Sequence, residues 1–339
     1  MNEQGTAVVE PGVVASQQAE TSARKRIRRR IATVPESTAL VIVLVVLVAF
    51  FSFDSPYFFN TDNFINILIA STVVGVVSCT TTMLLIAGQF DLSIGGGTAL
   101  ITSVFAWSFV NGNPLIVSIL LALGMGVVIG VANGFLVTVV GVNALITTIG
   151  TMSVTRAFAY IVSGGTEKSF TGFTTLGLSR PLLNIPWMVW FFAAAALLTA
   201  LTLRFTTFGR KLYAIGANPS AARLAGIRTG RIIFIAFVLS GVAVGVTGLL
   251  LASQTGLGSG NAATGLEFSA ITAVILGGAS LTGGRGTVFG TVLGVLVIGV
   301  VNDGIVLLNV SSFYQDVVRG MLLIIAVAID QVRIRMAAE

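Results

Sequence analysis

The chain has few charged side chains and no histidine. Of its 339 residues, 9% are charged and 55% are hydrophobic, whereas about 25% of the residues of a soluble domain are charged. The 32 Asp, Glu, Lys and Arg side chains cannot give a protein of this size a polar surface. The composition therefore indicates an integral membrane protein.

These absences also exclude most catalytic chemistry. Without histidine there is no imidazole-dependent triad and no His-Glu-x-x-His zinc site. The single cysteine, Cys79, excludes an internal disulfide and a cysteine-rich metal site. None of Lys25, Lys168 and Lys211 follows a glycine, so the chain has no phosphate-binding loop. We expect no catalytic residue, metal or cofactor in this chain, and any ATP and magnesium would be bound by another subunit.

The N-terminal segment is polar and then strongly basic. Residues 1–23 lack apolar periodicity and are predicted to be disordered, whereas 24–30 holds six of the 19 basic residues. A cytoplasmic anchor on anionic lipid fits this segment better than a nucleic-acid arm. The run 37–53 has no small-residue cleavage site after it, so we interpret it as a retained span rather than a signal peptide.

Apolar segments long enough to cross a bilayer recur along the chain. Crossing about 30 Å at about 1.5 Å per residue needs roughly 20 residues. The predicted spans are 37–53, 64–87, 92–110, 114–140, 143–163, 186–203, 232–252, 266–282, 287–308 and 313–330. Of these, 92–110 and 266–282 are glycine-interrupted or short and are candidates for broken or re-entrant spans, which must be buried in protein or face water.

The distribution of basic residues predicts the orientation of these spans. With a cytoplasmic N-terminus and ten spans, 15 of the 19 basic residues fall on the inside, six of them in the loop 204–231, and only Lys168 and Arg180 fall outside. The predicted organisation is a basic cytoplasmic tail over 1–36, a transmembrane domain over 37–332 and a cytoplasmic tail over 333–339.

Glycines four residues apart predict close helix packing. Gly126, Gly130 and Gly134 form one such set, and Gly241 and Gly245 form another. A stripe of this kind lets a neighbouring backbone approach closely. The pattern predicts a compact bundle and carries no information about a substrate.

A transporter or channel fits the sequence better than an intramembrane enzyme or a purely structural subunit. No paired aspartates lie at mid-span and histidine is absent, which leaves an intramembrane protease without a catalytic set. Asp303 and Arg319 are each expected roughly 8–9 Å below the outer end of their spans. We interpret them as a structural ion pair rather than an ion-coupling site.

The inside loop contains a short helix with clear start and stop signals. Asn218 suits the N-cap, Pro219 the first helical position and Gly226 the residue after the helix. A two-turn helix is unstable alone in water, so it must dock on its own spans or on a partner. Its predicted contact residues are Ala221, Ala222, Arg223 and Leu224.

Here the residues resemble a known family. The loop helix is similar to the coupling helix of permease subunits of bacterial ABC importers, in the ribose and related sugar permease group. Residues 87–95, Ala-Gly-Gln-Phe-Asp-Leu-Ser-Ile-Gly, resemble that family's Gly-Gly-Ile-Asp-Leu-Ser-Val-Gly segment and depart from it at 87–90. Residues 267–299 resemble its longest signature, and 311–330 resemble its last span.

The apolar segments predict an all-α polytopic membrane protein of about ten transmembrane helices, some of them short or broken. The resemblance implies that the loop helix, predicted over 219–225, is a cytoplasmic coupling helix. It implies a bacterial cytoplasmic (inner) membrane location, a second permease copy in a homodimer or pseudo-dimer, a cytoplasmic ATPase and an extracytoplasmic sugar-binding protein. The expected function is ATP-driven uptake of a monosaccharide such as ribose. The same machine importing an autoinducer-type furanosyl signal, a nucleoside or a polyol is one alternative, and an ion-coupled secondary carrier is another.

Neutral sugars are recognised by hydroxyl and amide groups and by aromatic faces rather than by buried charge. Polar residues within the predicted spans are therefore candidates for lining the pathway, although each could instead bond between helices. These candidates are Gln89, Asn133, Asn143, Thr147, Ser269 and Thr272.

The charge asymmetry predicts that residues 164–185 lie outside and residues 204–231 inside. Cysteines introduced at Thr171 and Thr229 should therefore react with a membrane-impermeant label from opposite sides of the membrane. Labelling of intact cells and of inverted vesicles measures this. Reaction of both cysteines from the same side would contradict the predicted topology.

Overall fold

The computed structural model describes residues 36–311 and 313–338. The prediction of a mostly helical chain is confirmed for these residues, whereas the basic segment 24–30 lies outside them. The described residues form thirteen α-helices: α1 Glu36–Asp54, α2 Thr61–Ile86, α3 Ile94–Val110, α4 Leu115–Phe135, α5 Ala144–Ser163, α6 Thr175–Leu178, α7 Trp187–Phe205, α8 Thr207–Ala217, α9 Pro219–Leu224, α10 Thr229–Thr255, α11 Leu266–Leu276, α12 Val288–Leu307 and α13 Phe313–Ala338. A π-helical turn, Leu136–Val140, extends α4.

Within the described residues, six helices are long and apolar enough to cross a membrane: α2, α4 with its π-helical extension, α5, α7, α10 and α12. They match six of the predicted spans. Three further predicted spans correspond to the shorter apolar helices α1, α3 and α11, and the last lies within α13. The count of ten spans therefore remains a prediction, and α13 continues as a helix into the predicted C-terminal tail.

The helices differ in how deeply they sit in the molecule. In α2 and α12, 67% of the most apolar window is buried, whereas in α5 and α7 the share is 22%. The core is formed mainly by α2, α3, α10, α11 and α12, and α4, α5 and α7 present large apolar faces outward. Faces of this kind are expected where lipid or another membrane subunit covers the chain.

Pairings between loops define the two ends of the bundle. At one end, β1, Lys168–Ser169, pairs antiparallel with β2, Leu257–Gly258. At the other end, the Gly284 N–H donates to the Ile86 carbonyl at 2.8 Å. The loop 277–287 also packs there against α8, so the segments predicted to lie inside do lie together.

The glycine stripe of α4 packs against α10. A Cβ at Gly126 or Gly130 would clash with backbone atoms of α10 around Gly241. The absence of side chains on both faces therefore lets the two backbones touch, as the spacing predicted. Gly290 of α12 makes a similar contact with Gly277 at the end of α11.

Two of the helices begin inside the molecule. Asp91, just before α3, bonds to Ser240, which lies 11 residues past the first residue of α10, or about 16 Å along that helix. From there α3 runs to the β2 end, where Gly258 packs against Ala106. The first turn of α11 meets the first turn of α3, and α11 runs in the opposite direction, to the α8 end. The predicted interruptions at 92–110 and 266–282 are therefore two shorter helices, of 17 and 11 residues, whose N-termini meet, and we call them the half-helices.

Candidate functional site

The backbone break before α3 is held by a buried carboxylate. Asp91 is 2% exposed. One of its oxygens accepts hydrogen bonds from the N–H of Ser93, at 3.0 Å, and from the Ser93 hydroxyl, while the other accepts from the Ser240 hydroxyl at 2.7 Å. The carboxylate also lies at the N-terminal end of α3, where the helix dipole favours negative charge. Asp91 therefore fixes the start of α3 against α10.

Asn133 extends this network to two further helices. Its amide nitrogen donates to the Ser93 hydroxyl at 2.8 Å, and its amide oxygen accepts from the Thr151 hydroxyl at 2.7 Å. The Asn133 side chain is fully buried. Asn133 was predicted from the sequence as a pathway group. Both its amide nitrogen and its amide oxygen bond within the chain, and they link α4 to α5 and to the start of α3.

A second carboxylate lies where the N-termini of α3 and α11 meet. Glu267, in the first turn of α11, is 4% exposed, and its Oε2 atom has no hydrogen-bond partner in the described part of the chain. That oxygen lies directly against the α-carbon of Gly95, where any Cβ would clash with it. Both half-helices thus carry a carboxylate at their N-terminal ends, as expected for positively polarised termini buried in a protein.

An open cavity of about 590 Å³ lies on the side of the break toward the α8 end, which is predicted to be the inner end. It is lined by Gln89, Phe90, Thr138, Asn143 and Thr229, together with apolar neighbours on α4, α5 and α10. Two of the predicted pathway residues, Gln89 and Asn143, are therefore brought together here. Asn143 also caps α5, because its side-chain oxygen accepts from the Leu145 N–H at 2.9 Å.

The other three predicted pathway residues lie elsewhere. Thr147 is 7% exposed in an apolar groove of about 520 Å³ along α4 and α5, and its hydroxyl has no partner among the described residues. Ser269 and Thr272 are buried in α11 and donate to the carbonyls of their own helix, Gly265 at 3.2 Å and Phe268 at 2.7 Å. These two hydroxyls are therefore satisfied within their own helix.

The short loop helix forms where the sequence predicts it. Asn218 caps α9 by accepting from the N–H groups of Ser220 and Ala221, each at 3.0 Å. Gly226, just past the end, adopts φ +80°, which favours glycine. Ala222 is 5% exposed and packs against α8 and α10, whereas Leu224 is 91% exposed. One face of α9 is therefore held by the chain itself, and the opposite face presents Leu224 outward.

The helix before α9 lies on the loop that follows α11. Gly216 of α8 packs directly against Gly284 and the Ile86 carbonyl, with no room for a side chain. The Tyr213 hydroxyl donates to the Gly286 carbonyl at 2.8 Å, and burial raises the pKa of this hydroxyl above its ordinary value. The same loop is held from α13 by Asp330, which accepts from the Leu281 N–H at 3.1 Å.

The predicted ion pair is wrong. Asp303 accepts a hydrogen bond from the Asn63 amide at 2.8 Å, whereas Arg319 pairs with Asp316 on its own helix at 2.8 Å. Both side chains lie near the outer ends of their helices, as expected, but they face different neighbours. Depth along a helix can be read from the sequence, whereas the direction of a side chain around the helix depends on packing.

Asp91 and Ser240 were not predicted from the sequence as site residues. The signal for Asp91 was present in its motif, since a carboxylate two residues before a serine at a helix start is typical of local capping. No local signal marked Ser240, which lies 149 residues away in an apolar helix. Across the described ranges 36–311 and 313–338, no three Asp, Glu or Cys side chains group as metal ligands.

Comparison with known proteins places these features in a family. Residues 63–327 match the family model described as the branched-chain amino acid transport system permease component. The chain is 35% identical to the ribose import permease protein of Escherichia coli, over 86% of this chain and 92% of that protein.

Two further relatives cover similar lengths. The L-arabinose ABC transporter permease protein of Azospirillum brasilense is 36% identical, over 87% of this chain and 88% of that protein. A probable ABC transporter permease protein of Escherichia coli is 35% identical, over 85% and 87%. No solved structure matches the chain.

Replacing Asp91 with alanine should destabilise the folded chain markedly. The substitution leaves the Ser93 and Ser240 donors buried without an acceptor, and each orphaned group costs about 1–3 kcal/mol. Thermal unfolding of the purified protein in detergent measures the loss. Asp62→Ala is the matched control, because the Asp62 side chain is 75% exposed. Equal melting temperatures for the two variants would contradict the role of Asp91.

Proposed function

This chain belongs to the family of branched-chain amino acid transport system permease components, and we propose that it forms the membrane pathway of an ATP-driven monosaccharide importer. Its named relatives include permeases for ribose and L-arabinose. Membership of the ABC sugar permease group rests on these similarities, which extend over most of the chain. The particular sugar is part of the proposal, because relatives of similar identity carry different substrates in their names.

The proposal includes three partners and a location. A cytoplasmic ATPase supplies the energy with its own ATP and magnesium, an extracytoplasmic binding protein delivers the sugar, and a second permease copy completes the pathway. The chain lies in the bacterial cytoplasmic membrane with both termini inside. The 15-to-2 split of basic residues supports this orientation.

The observation that carries the proposal is the form of α9. Leu224 is 91% exposed at the tip of a capped helix whose opposite face is buried by Ala222. An exposed leucine on a rigid support, at the end of the bundle rather than along its apolar sides, is suited to insertion into a groove on a soluble partner. Arg223, also exposed, can reach a carboxylate on that partner.

The contacts around α9 suggest how ATPase motion reaches the pathway. Displacing α9 would move α8 directly, because the two helices are adjacent in the chain and packed on each other. Through Gly216 and Tyr213, α8 bears on the loop 277–287. That loop follows the last residue of α11. At the other end of α11, its first turn holds Glu267 against the start of α3. A shift at the partner surface is thus passed along packed backbone to the junction of the half-helices.

The cavity at the inner end suits a small polar substrate that is about to leave the pathway on the cytoplasmic side. Gln89, Asn143 and Thr229 line about 590 Å³ without a charged side chain. Amide and hydroxyl groups of this kind can pair with sugar hydroxyls. An autoinducer-type signal, a nucleoside or a polyol remains the alternative cargo, and an ion-coupled carrier remains the alternative machine.

Changing the exposed leucine of α9 should separate the ATPase from the permease. Leu224→Asp places a charge in an apolar groove and should reduce co-purification of the ATPase about 10-fold or more. Leu183→Asp is the matched control, since Leu183 is 77% exposed in the segment predicted to lie outside. A substitution of Ala222, such as Ala222→Glu, would not test the contact with the ATPase, because Ala222 packs within the chain itself. Wild-type ATPase binding by Leu224→Asp would contradict the coupling role.

Uptake by cells that carry only this importer tests the substrate and the energy source. We expect accumulation of radiolabelled D-ribose or L-arabinose that stops when ATP is depleted and continues when a protonophore collapses the proton gradient. Deletion of the permease gene is the control for other routes. Uptake that follows the proton gradient instead would support an ion-coupled carrier.

A further inference from the structure

A cluster of charged side chains lies between α5 and α13, apart from the residues predicted to line the pathway. The Arg156 Nη1 atom donates to the Thr264 hydroxyl and to the Gly260 carbonyl, each at 3.1 Å. From the other side, the Arg319 Nη1 atom lies 3.5 Å from the Thr264 carbonyl and donates to Asp316 at 2.8 Å. We name Arg156, Tyr160, Thr264, Glu267, Asp316 and Arg319 the Thr264 cluster.

The cluster opens on a face of the chain that lipid cannot cover easily. Thr264 and Asp316 are exposed, both arginines are partly exposed, and 41% of Tyr160 is exposed. Arg156 lies 12 residues past the first residue of α5, about 18 Å along a helix about 30 Å long. A guanidinium at that depth is expensive in hydrocarbon. This face is therefore covered by water or by another protein surface.

Several polar atoms of the cluster are left without partners. The Glu267 Oε2 atom and the Arg319 Nε atom are both buried, and neither has a hydrogen-bond partner in the described residues. A guanidinium carries five N–H donors. In the described residues, the hydrogen bonds of each arginine all come from its Nη1 atom. The cluster therefore holds more hydrogen-bonding capacity than its own fold uses.

The cluster holds charges of both signs. Arg319 pairs with Asp316 at 2.8 Å, whereas Arg156 bonds to a carbonyl and a hydroxyl, and Glu267 adds a second carboxyl group. Donors and acceptors side by side, with the exposed ring of Tyr160 beside them, match the alternating hydroxyls and apolar faces of a sugar.

We propose that the Thr264 cluster is a binding site for the neutral, polyhydroxylated substrate at the outer half of the pathway. The proposal rests on the proposed function, since it assigns the first contact of the sugar after its release from the binding protein. The open face of the site borders the pathway, and the second permease copy lies on the opposite side of that pathway. The substrate leaves this site for the inner cavity when the half-helix junction beside Glu267 shifts.

Uptake by the complete complex, reconstituted in proteoliposomes, tests the site. Radiolabelled D-ribose and L-arabinose are the probes, and sugar transported is compared with ATP hydrolysed. Arg156→Gln and Arg319→Gln should lower the sugar moved per ATP about 10- to 100-fold, the usual cost of losing a charged hydrogen bond. ATP hydrolysis stimulated by the binding protein should stay within about 2-fold of wild type, because the surface proposed to contact the ATPase lies at the opposite end of the bundle.

Arg180→Gln is the matched control, since Arg180 lies on the same side of the protein and pairs with the exposed Asp62, at 3.7 Å, outside the cluster. It should transport normally. If the arginine variants fail to assemble, Thr264→Val is compared with Thr264→Ser. Only the valine variant should lower transport per ATP and shift the preference between the two sugars.

Three outcomes would overturn the assignment. Wild-type transport per ATP in the arginine variants, or in Thr264→Val, would show that the cluster does not contact the sugar. Loss of binding-protein stimulation together with transport would identify the cluster as a docking surface for the binding protein instead. Failure of the wild-type complex to move either sugar would contradict the proposed function itself.

Discussion

Backbone that breaks inside a bilayer has no water to satisfy its polar groups, and this constraint governs the centre of the molecule. The chain meets it at 87–93 by burying Asp91 as a common acceptor for α3 and α10. Asn133 then links the same network to α4 and α5. Once the break is satisfied in this way, α3 can begin at mid-depth, and the remaining helices pack around its start.

The second break depends on the first. Because α3 starts deep in the molecule with Gly95 in its first turn, Glu267 can lie against it and α11 can begin at the same depth. The two half-helices then run to opposite ends of the bundle. A junction built from two short helices can change by small shifts of either one, whereas a continuous helix has to move as a whole.

In the function that we propose, the two ends of the chain have different tasks. At the α8 end, predicted to be inner, α8 and the loop 277–287 pack through close glycine contacts, which suits the transfer of motion. At the outer end, the contacts around Thr264 are polar, partly exposed and incompletely paired. Rigid packing at one end and unused hydrogen-bonding capacity at the other are what a coupled transporter requires.

Much of this protein could be predicted from sequence because the governing signals are local. Hydrophobic length located the six helices that are long enough to cross a membrane, the glycine interval predicted a close helix contact, found between α4 and α10, and Asn218, Pro219 and Gly226 placed α9. Tertiary structure alone decided which side chains face each other, since that depends on helix rotation and on contacts between distant segments. It gave Asp303 the partner Asn63, turned Ala222 inward and Leu224 outward, and joined Asp91 to Ser240 across 149 residues.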